Sequence, residues 1–330
     1  MLDPAGRRDT RIPVTVITGF LGAGKTTLLQ RILDEGTSRN YAVIVNEYGD
    51  IGIDGDLLVT GEEEFIELSS GCICCVVRGD LIRGIRLLLS ERPNLDGIII
   101  ETTGLANPSP VIQTMTADQI IGAQCKLDSV ICVVDAIHIL QELSRSRDAA
   151  DQIAFSDHIV LNKVAETEAS LPKIREALRN INPIAPITNT NRSNVSSKEL
   201  LDRDSFELAR IETQVTQASE ESAHNHIDHA GITSVSLTCK TPLNEQNVQT
   251  WIENLLNRRG ADILRTKGIL SIAGNEQKLV IQSVNMMLEG AFLGKWDQDD
   301  RISRMIMIGR KLDANELDSG FQSCQQGNEA

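Results

Sequence analysis

Residues 19–26 read Gly-Phe-Leu-Gly-Ala-Gly-Lys-Thr, the spacing G-x-x-x-x-G-K-[ST] at every fixed position. The run follows an apolar β-rich stretch at 13–18 and opens a helix-period stretch at 26–35. Strand, glycine loop and helix in that order constrain the fold more than any other feature of the chain. Glycines let the backbone curl so that successive amides point at one anion, and the helix N-terminus adds its partial positive charge. In such a loop Lys25 bridges the β- and γ-phosphates and the Thr26 hydroxyl ligates Mg²⁺. The plainer alternative is a glycine turn that merely introduces a helix.

The rest of the first part repeats the same alternation. Runs at 41–46, 65–68, 97–101, 129–135, 158–162 and 185–188 read as strands, several of them apolar throughout, as expected where helices cover both faces of a parallel sheet. Leu28, Leu29, Ile32 and Leu33 share one helical face before Gly36. A second helix is expected over 80–92, capped by Asp80 and stopped before Pro93, with Leu81, Ile85, Leu88 and Leu89 inward. The expectation is a P-loop NTPase domain over 12–201 with a mainly parallel, doubly wound sheet. Residues 202–230 are rich in Glu, Ser, Thr and Gln and read as an acidic, His-containing linker or long surface loop. A smaller α+β domain is expected over 231–325, with strands at 232–239, 269–273, 278–284 and 304–308 and helices at 244–258 and 315–324.

Charge decides which anions such a chain can bind. Lys and Arg number 32 against 46 Asp and Glu, a net charge of −14, so a nucleic-acid backbone has no basic face to meet. Aromatic residues at 3% also leave little for base stacking. A local loop can still hold a small polyanion. No apolar run approaches the roughly 18 residues of a membrane span, and residues 1–11 lack the apolar core of a signal peptide. A cytoplasmic protein without membrane or nucleic-acid partners is expected.

A P-loop enzyme needs a carboxylate at the end of a nearby strand. Glu101 closes the run 97–101, and Thr102-Thr103-Gly104 follows. The Gly104 amide is placed to sense a γ-phosphate, although a strand-ending Glu is elsewhere often just a solvated residue. Asn162-Lys163 ends another strand, where GTP-binding proteins carry N-K-x-D. There the Asn bonds the purine, the Lys stem packs on the base and the Asp accepts two hydrogen bonds from guanine. Here the fourth position is Ala165, and Glu166 comes one residue late. Either Glu166 takes the role or the site discriminates poorly.

Seven cysteines are too few for a disulfide scaffold, yet Cys72, Cys74 and Cys75 fall within four residues after Gly71. Three thiolates converging on one ion favour tetrahedral Zn²⁺, with Cu(I) or Co²⁺ also fitting, and a missing fourth ligand suits transfer better than permanent structure. The alternatives are buried small side chains or a redox pair. His224, His226 and His229 lie in the acidic stretch beside Asp228, either collecting a divalent ion or standing in a solvated loop. His138 and His158 read as structural.

Taken together, these residues resemble the CobW-type GTPases, relatives of HypB and UreG. The resemblance runs from Ile12 to about Gln325. It rests on the loop extended through Thr27, on Val45-Asn46-Glu47-Tyr48-Gly49, and on residues 67–75 ending Gly71-Cys72-Ile73-Cys74-Cys75. Glu101-Thr102-Thr103-Gly104-Leu105-Ala106-Asn107-Pro108, Val133-Val134-Asp135-Ala136, Arg265-Thr266-Lys267-Gly268 and residues 308–313 complete it.

The resemblance implies slow hydrolysis of GTP with Mg²⁺. Nucleotide contacts would come from Gly19, Phe20, Leu21, Gly22, Ala23, Gly24, Lys25, Thr26, Thr27, Asn162 and Lys163. It also implies Zn²⁺ or Co²⁺ carried on Cys72, Cys74 and Cys75 to a client metalloenzyme, and a nucleotide-dependent homodimer. The expected switch segment is 46–56, and Glu101, Glu47 and Asp54 are the candidate groups for activating water. Ala165 puts strict GTP use in question, and the N-terminus lacks the Cys-Pro motif of members that serve methionine aminopeptidase. A nucleotide-independent metal buffer and a P-loop kinase acting on a small molecule stay as rival readings.

Overall fold

A computed structural model describes residues 10–35, 39–45, 65–67, 74–92, 94–104, 107–201, 208–221, 231–296 and 301–326. Glu47, Asp54, the segment 46–56, Cys72, His224, His226 and His229 lie outside the described residues, as do the side chains of Cys74 and Cys75. The chain forms two compact units, one on residues 8–174 and 186–205 and the other on 175–185 and 206–330.

The first unit begins with β1 (Ile12–Thr18), α1 (Lys25–Glu35), β2 (Tyr41–Val45), β3 (Phe65–Glu67), α2 (Cys74–Glu91) and β4 (Gly97–Glu101). It continues through α3 (Ser109–Ala117), α4 (Gln119–Gln124), β5 (Cys125–Asp135), α5 (Ile139–Arg145), α6 (Arg147–Phe155) and β6 (His158–Asn162). α7 (Leu171–Ile181) follows, most of it counted with the second unit, and then β7 (Ile187–Asn189) and α8 (Ser197–Leu200) belong to the first. The strands form one seven-stranded parallel sheet in the order β3-β2-β4-β1-β5-β6-β7. Because the order turns back on either side of β1, a crevice opens beyond the C-terminal ends of the central strands, where the phosphate loop lies. Ile17, Ile99, Ile131, Val133 and Val160 from the sheet pack with Leu28, Leu29, Ile32 and Leu33 of α1 in one core.

One helix start differs from expectation. α2 begins at Cys74, so Asp80 lies inside the helix instead of capping it. The stripe Leu81, Ile85, Leu88 and Leu89 is buried as expected. Cys74 and Cys75 therefore occupy the first helical turn, where a loop had been expected.

The second unit holds α9 (Leu208–Glu221), β8 (Ile232–Cys239), α10 (Glu245–Arg259), β9 (Ile263–Ser271), β10 (Gln277–Val284), β11 (Met287–Lys295), β12 (Ser303–Arg310) and α11 (Ala314–Gln322). Its five strands run antiparallel in the order β11-β10-β9-β12-β8. α10 and α11, capped by the Asn244 and Asp313 side chains, bury Ile252, Leu255, Leu317 and Phe321 against Leu237, Ile281 and Met305. The helix α9 corrects the expected linker. Ile211, Val215 and Ala218, four and three residues apart, are fully buried against β8, β9 and β12. Two polar contacts finish the contact: Lys267 Nζ donates to Gln214 Oε1 at 2.8 Å, and Lys278 pairs with Glu212.

Candidate functional site

The phosphate loop leaves β1 and re-enters α1 at Lys25. Gly24 has φ +105°, and a Cβ there would stand 2.6 Å from the Asn162 amide nitrogen. Two constraints thus coincide at one glycine, since left-handed backbone and close approach both exclude a side chain. Lys25 is buried, and its Nζ donates to the Phe20 carbonyl of the same loop at 3.3 Å. Burial pushes the Lys25 ammonium below its ordinary pKa, and the nearby Glu101 charge opposes that push. Incoming phosphate charge would relieve the same penalty.

Thr26 Oγ1 donates to Glu101 Oε1 at 2.9 Å, joining the start of α1 to the end of β4. Glu101 is buried. A hydroxyl and a carboxylate side by side next to a phosphate loop form an oxygen donor set that suits a hard cation such as Mg²⁺. The ends of β1 and β4 are stitched together as well: the Thr102 hydroxyl donates to Thr18 Oγ1 at 3.0 Å and the Thr102 amide to the Ile17 carbonyl at 2.9 Å. Gly104 then passes so close to the loop that a Cβ would lie 2.6 Å from the Leu21 amide nitrogen. Its carbonyl accepts from Gln152 Nε2 of α6 at 3.3 Å. The structure therefore gathers the loop, Lys25, Thr26, Glu101 and Gly104 at one end of the sheet.

Asn162, at the end of β6, joins two loops. It is buried, its Nδ2 donates to the carbonyl of Ala23 (2.9 Å) and to Ser193 Oγ (3.2 Å), and its Oδ1 accepts from the Ser193 amide (2.9 Å). This side chain thereby ties the phosphate loop to the loop after β7. Ser193 Oγ in turn donates to the Gly24 carbonyl at 3.0 Å. Lys163 sits at φ 61°, with its Nζ donating to the Gly22 carbonyl at 2.9 Å and to Asp135 Oδ2 at 2.7 Å.

Asp135 closes β5 under this arrangement. It also accepts from the Ile137 amide at 2.8 Å and lies 3.0 Å from His138 Nδ1. Burial works to raise the Asp135 carboxyl, but the Lys163 and His138 contacts and the Ile137 amide outweigh it and hold the group below the usual carboxylate range. His138 thus belongs to the network beside the phosphate loop. His158 is a buried strand residue whose Nε2 lies 2.9 Å from Thr188 Oγ1.

Sequence reasoning passed over Gln152, Asn191, Ser193 and Arg31. Arg31 of α1 donates from Nε to the Arg192 carbonyl at 2.8 Å and from a terminal nitrogen to Asn194 Oδ1 at 3.1 Å. For Asn191 and Ser193 the only signal in the sequence is the polar Asn-Arg-Ser-Asn run after a strand.

The described free cysteines, Cys125, Cys132, Cys239 and Cys324, are all buried. Burial raises the Cys125 thiol to about 11 and the Cys132 thiol to about 12, which suits packing and not ligation. Among the described residues no group of three or more His, Cys, Asp or Glu side chains is placed to hold a metal ion.

With the loop, its carboxylate and its flanking strands in place, known proteins can be compared. The pattern of the CobW/HypB/UreG nucleotide-binding domain matches residues 13–189, and that of the cobalamin synthesis protein CobW C-terminal domain matches 232–325. The chain belongs to the CobW/HypB/UreG family. Within it, the zinc chaperone YjiA of Escherichia coli is 32% identical over 94% of this chain and 98% of its own length. The zinc chaperone CobW of Pseudomonas aeruginosa is 34% identical over 93% of this chain and 91% of its own. The crystal structure of the Zn(II)-bound YjiA GTPase from E. coli superposes with a TM-score of 0.77 at 28% identity, covering 96% of this chain and 99% of that one. This CobW-family chain has the P-loop NTPase fold with an antiparallel C-terminal sheet, and among its described residues no helix is long and apolar enough to cross a membrane.

Proposed function

We propose that this chain is a GTP-dependent metal carrier, which loads zinc, or cobalt as the alternative cargo, on Cys72, Cys74 and Cys75 and passes it to a client protein as GTP is hydrolysed. One observation carries the reading. A phosphate loop with its Thr26–Glu101 couple and a Cys-x-Cys-Cys run leading into the first turn of α2 occur in one chain, whose relatives over nine-tenths of its length are named zinc chaperones. The thiolate is the metal-binding form of cysteine.

In the nucleotide half of the cycle, Lys25 leaves the Phe20 carbonyl for phosphate oxygens, and loop amides with the Gly104 amide hold the remaining charge. Thr26 and Glu101 would hold Mg²⁺, which when bound neutralises charge on the β- and γ-phosphates. Glu101, Glu47 and Asp54 are the carboxylates available to orient water. None of them is an obvious strong base, and slow turnover follows from that. A γ-phosphate that orders residues 46–56 would draw the neighbouring thiolates together, and hydrolysis would loosen them.

Anaerobic Co²⁺ titration tests this, following thiolate-to-metal absorption with Mg²⁺-GTP, with Mg²⁺-GDP and without nucleotide. The expected signal tightens with GTP and vanishes in Cys74→Ala. An identical thiolate signal in all three conditions would turn the chain into a metal buffer, and no thiolate signal would return the three cysteines to structure or redox chemistry.

A further inference from the structure

The loop 162–166 carries Ala165 at the position of the guanine-selecting carboxylate, and the structure places a different side chain against that position. Asn191 Oδ1 accepts from the Ala165 amide at 2.8 Å. The preceding residue Thr190 is fixed by its backbone: its amide donates to the Leu161 carbonyl at 2.8 Å, and its carbonyl accepts from the Val164 amide at 3.2 Å. The loop itself is fastened to the phosphate loop by Lys163 on Gly22 and by Asn162 on Ala23. A base that follows this fastened loop away from phosphates held by residues 19–26 would meet Ala165, Glu166 and Asn191. Asn191 is exposed, and among the described residues no group accepts from its Nδ2.

The chemistry of that amide is opposite to a carboxylate's. With its oxygen occupied by Ala165, Asn191 offers hydrogen-bond donors. Guanine presents donors at N1 and at its 2-amino group, which an aspartate would accept. Xanthine carries an oxygen acceptor at position 2, and adenine carries an acceptor at N1. We propose that Asn191 sets nucleobase specificity in this chain, presenting an amide donor where the guanine-reading carboxylate is missing, so that xanthine and adenine nucleotides compete with guanine nucleotides. A charge-assisted hydrogen bond is worth about tenfold to hundredfold in affinity, so its absence alone brings the bases close.

The inference rests on the nucleotide reading above. Full-length protein with Mg²⁺ and a fluorescent GDP analogue is competed with GTP, ATP and XTP, and the affinity ratios are compared. The wild type is expected to bind XTP at least as tightly as GTP, with ATP within about tenfold. Asn191→Asp keeps an oxygen for the Ala165 amide and adds an acceptor, and Ala165→Asp restores the missing reader. Each should shift the GTP-to-XTP ratio toward GTP by about tenfold or more. A wild type that prefers GTP by more than about hundredfold, with the ratio unmoved by Asn191→Asp, overturns the proposal. A preference that collapses in Glu166→Gln overturns it too and makes Glu166 the reader. Failure of every nucleotide to displace or bind would sink the nucleotide reading itself, an outcome distinct from selective GTP binding.

Discussion

Asp135 shows how one carboxylate can fix a loop it does not belong to. It lies at the end of β5, yet through the Lys163 ammonium it reaches the Gly22 carbonyl of the phosphate loop. Asp135→Asn keeps an oxygen for the Ile137 amide but leaves Lys163 without its charged partner. The expected cost is about 1.5–3 kcal/mol of stability at pH 7, read from denaturant midpoints. The cost should depend on pH in one direction. Because the folded carboxyl is held below its ordinary range, the wild-type advantage is complete above the unfolded value of about 4 and shrinks as pH falls through the lower folded value. A gap between wild type and Asp135→Asn that persisted unchanged far into acid would show that the pairing is not electrostatic. This residue scale is also where the sequence is least legible. Lys25 and Thr26 are read from eight consecutive residues, whereas the Asn162–Ser193 and Ala165–Asn191 contacts join positions 31 and 26 residues apart that no local pattern connects.

Among the elements, strong periodicity decides what can be read. The apolar strands of the parallel sheet and the stripe of α1 are visible because their burial follows one simple period. α9 escapes that reading because its buried face is narrow, among the described side chains Ile211, Val215 and Ala218 with the polar Gln214, amid Glu, Thr, Ser and Gln. Its helical state comes from the sheet it covers, not from propensity. Ile211→Ala should therefore cost about 2–4 kcal/mol in chemical denaturation, while Gln217→Ala on the exposed side should stay within about 0.5 kcal/mol. Equal, small effects at both positions would mean that the contact of α9 with β8, β9 and β12 is not held by burial. β11 was missed for a related reason. It is an edge strand with Gly290 and Gly294 and mostly exposed or half-buried side chains, defined by its pairing with β10. Asp80 misled in the other direction, since a residue that often caps a helix stands inside α2.

At the scale of the whole molecule, a net charge of −14 frames the proposed coupling between nucleotide and metal. An acidic chain attracts cations over its whole surface, so metal uptake by itself says little about a dedicated carrier. What separates a carrier from a sponge is reciprocity. If GTP tightens thiolate-bound metal by some factor, bound metal must tighten GTP by the same factor, because the four equilibria close a cycle. Couplings of this kind typically lie between about fivefold and 150-fold. Four dissociation constants test it: metal with and without a non-hydrolysable GTP analogue, and the analogue with and without metal. The two ratios should agree and exceed about fivefold. Cys74→Ala should reduce the nucleotide ratio to one without weakening GTP in metal-free buffer, since that cysteine lies outside the phosphate loop. Metal bound on acidic surface instead would leave the GTP affinity unchanged and would weaken as ionic strength rises, because exposed charges are screened within a Debye length of about 8 Å. Agreement of the two ratios, together with their loss in the thiol variant, ties the −14 surface to no more than non-specific attraction and assigns the delivered metal to the cysteines.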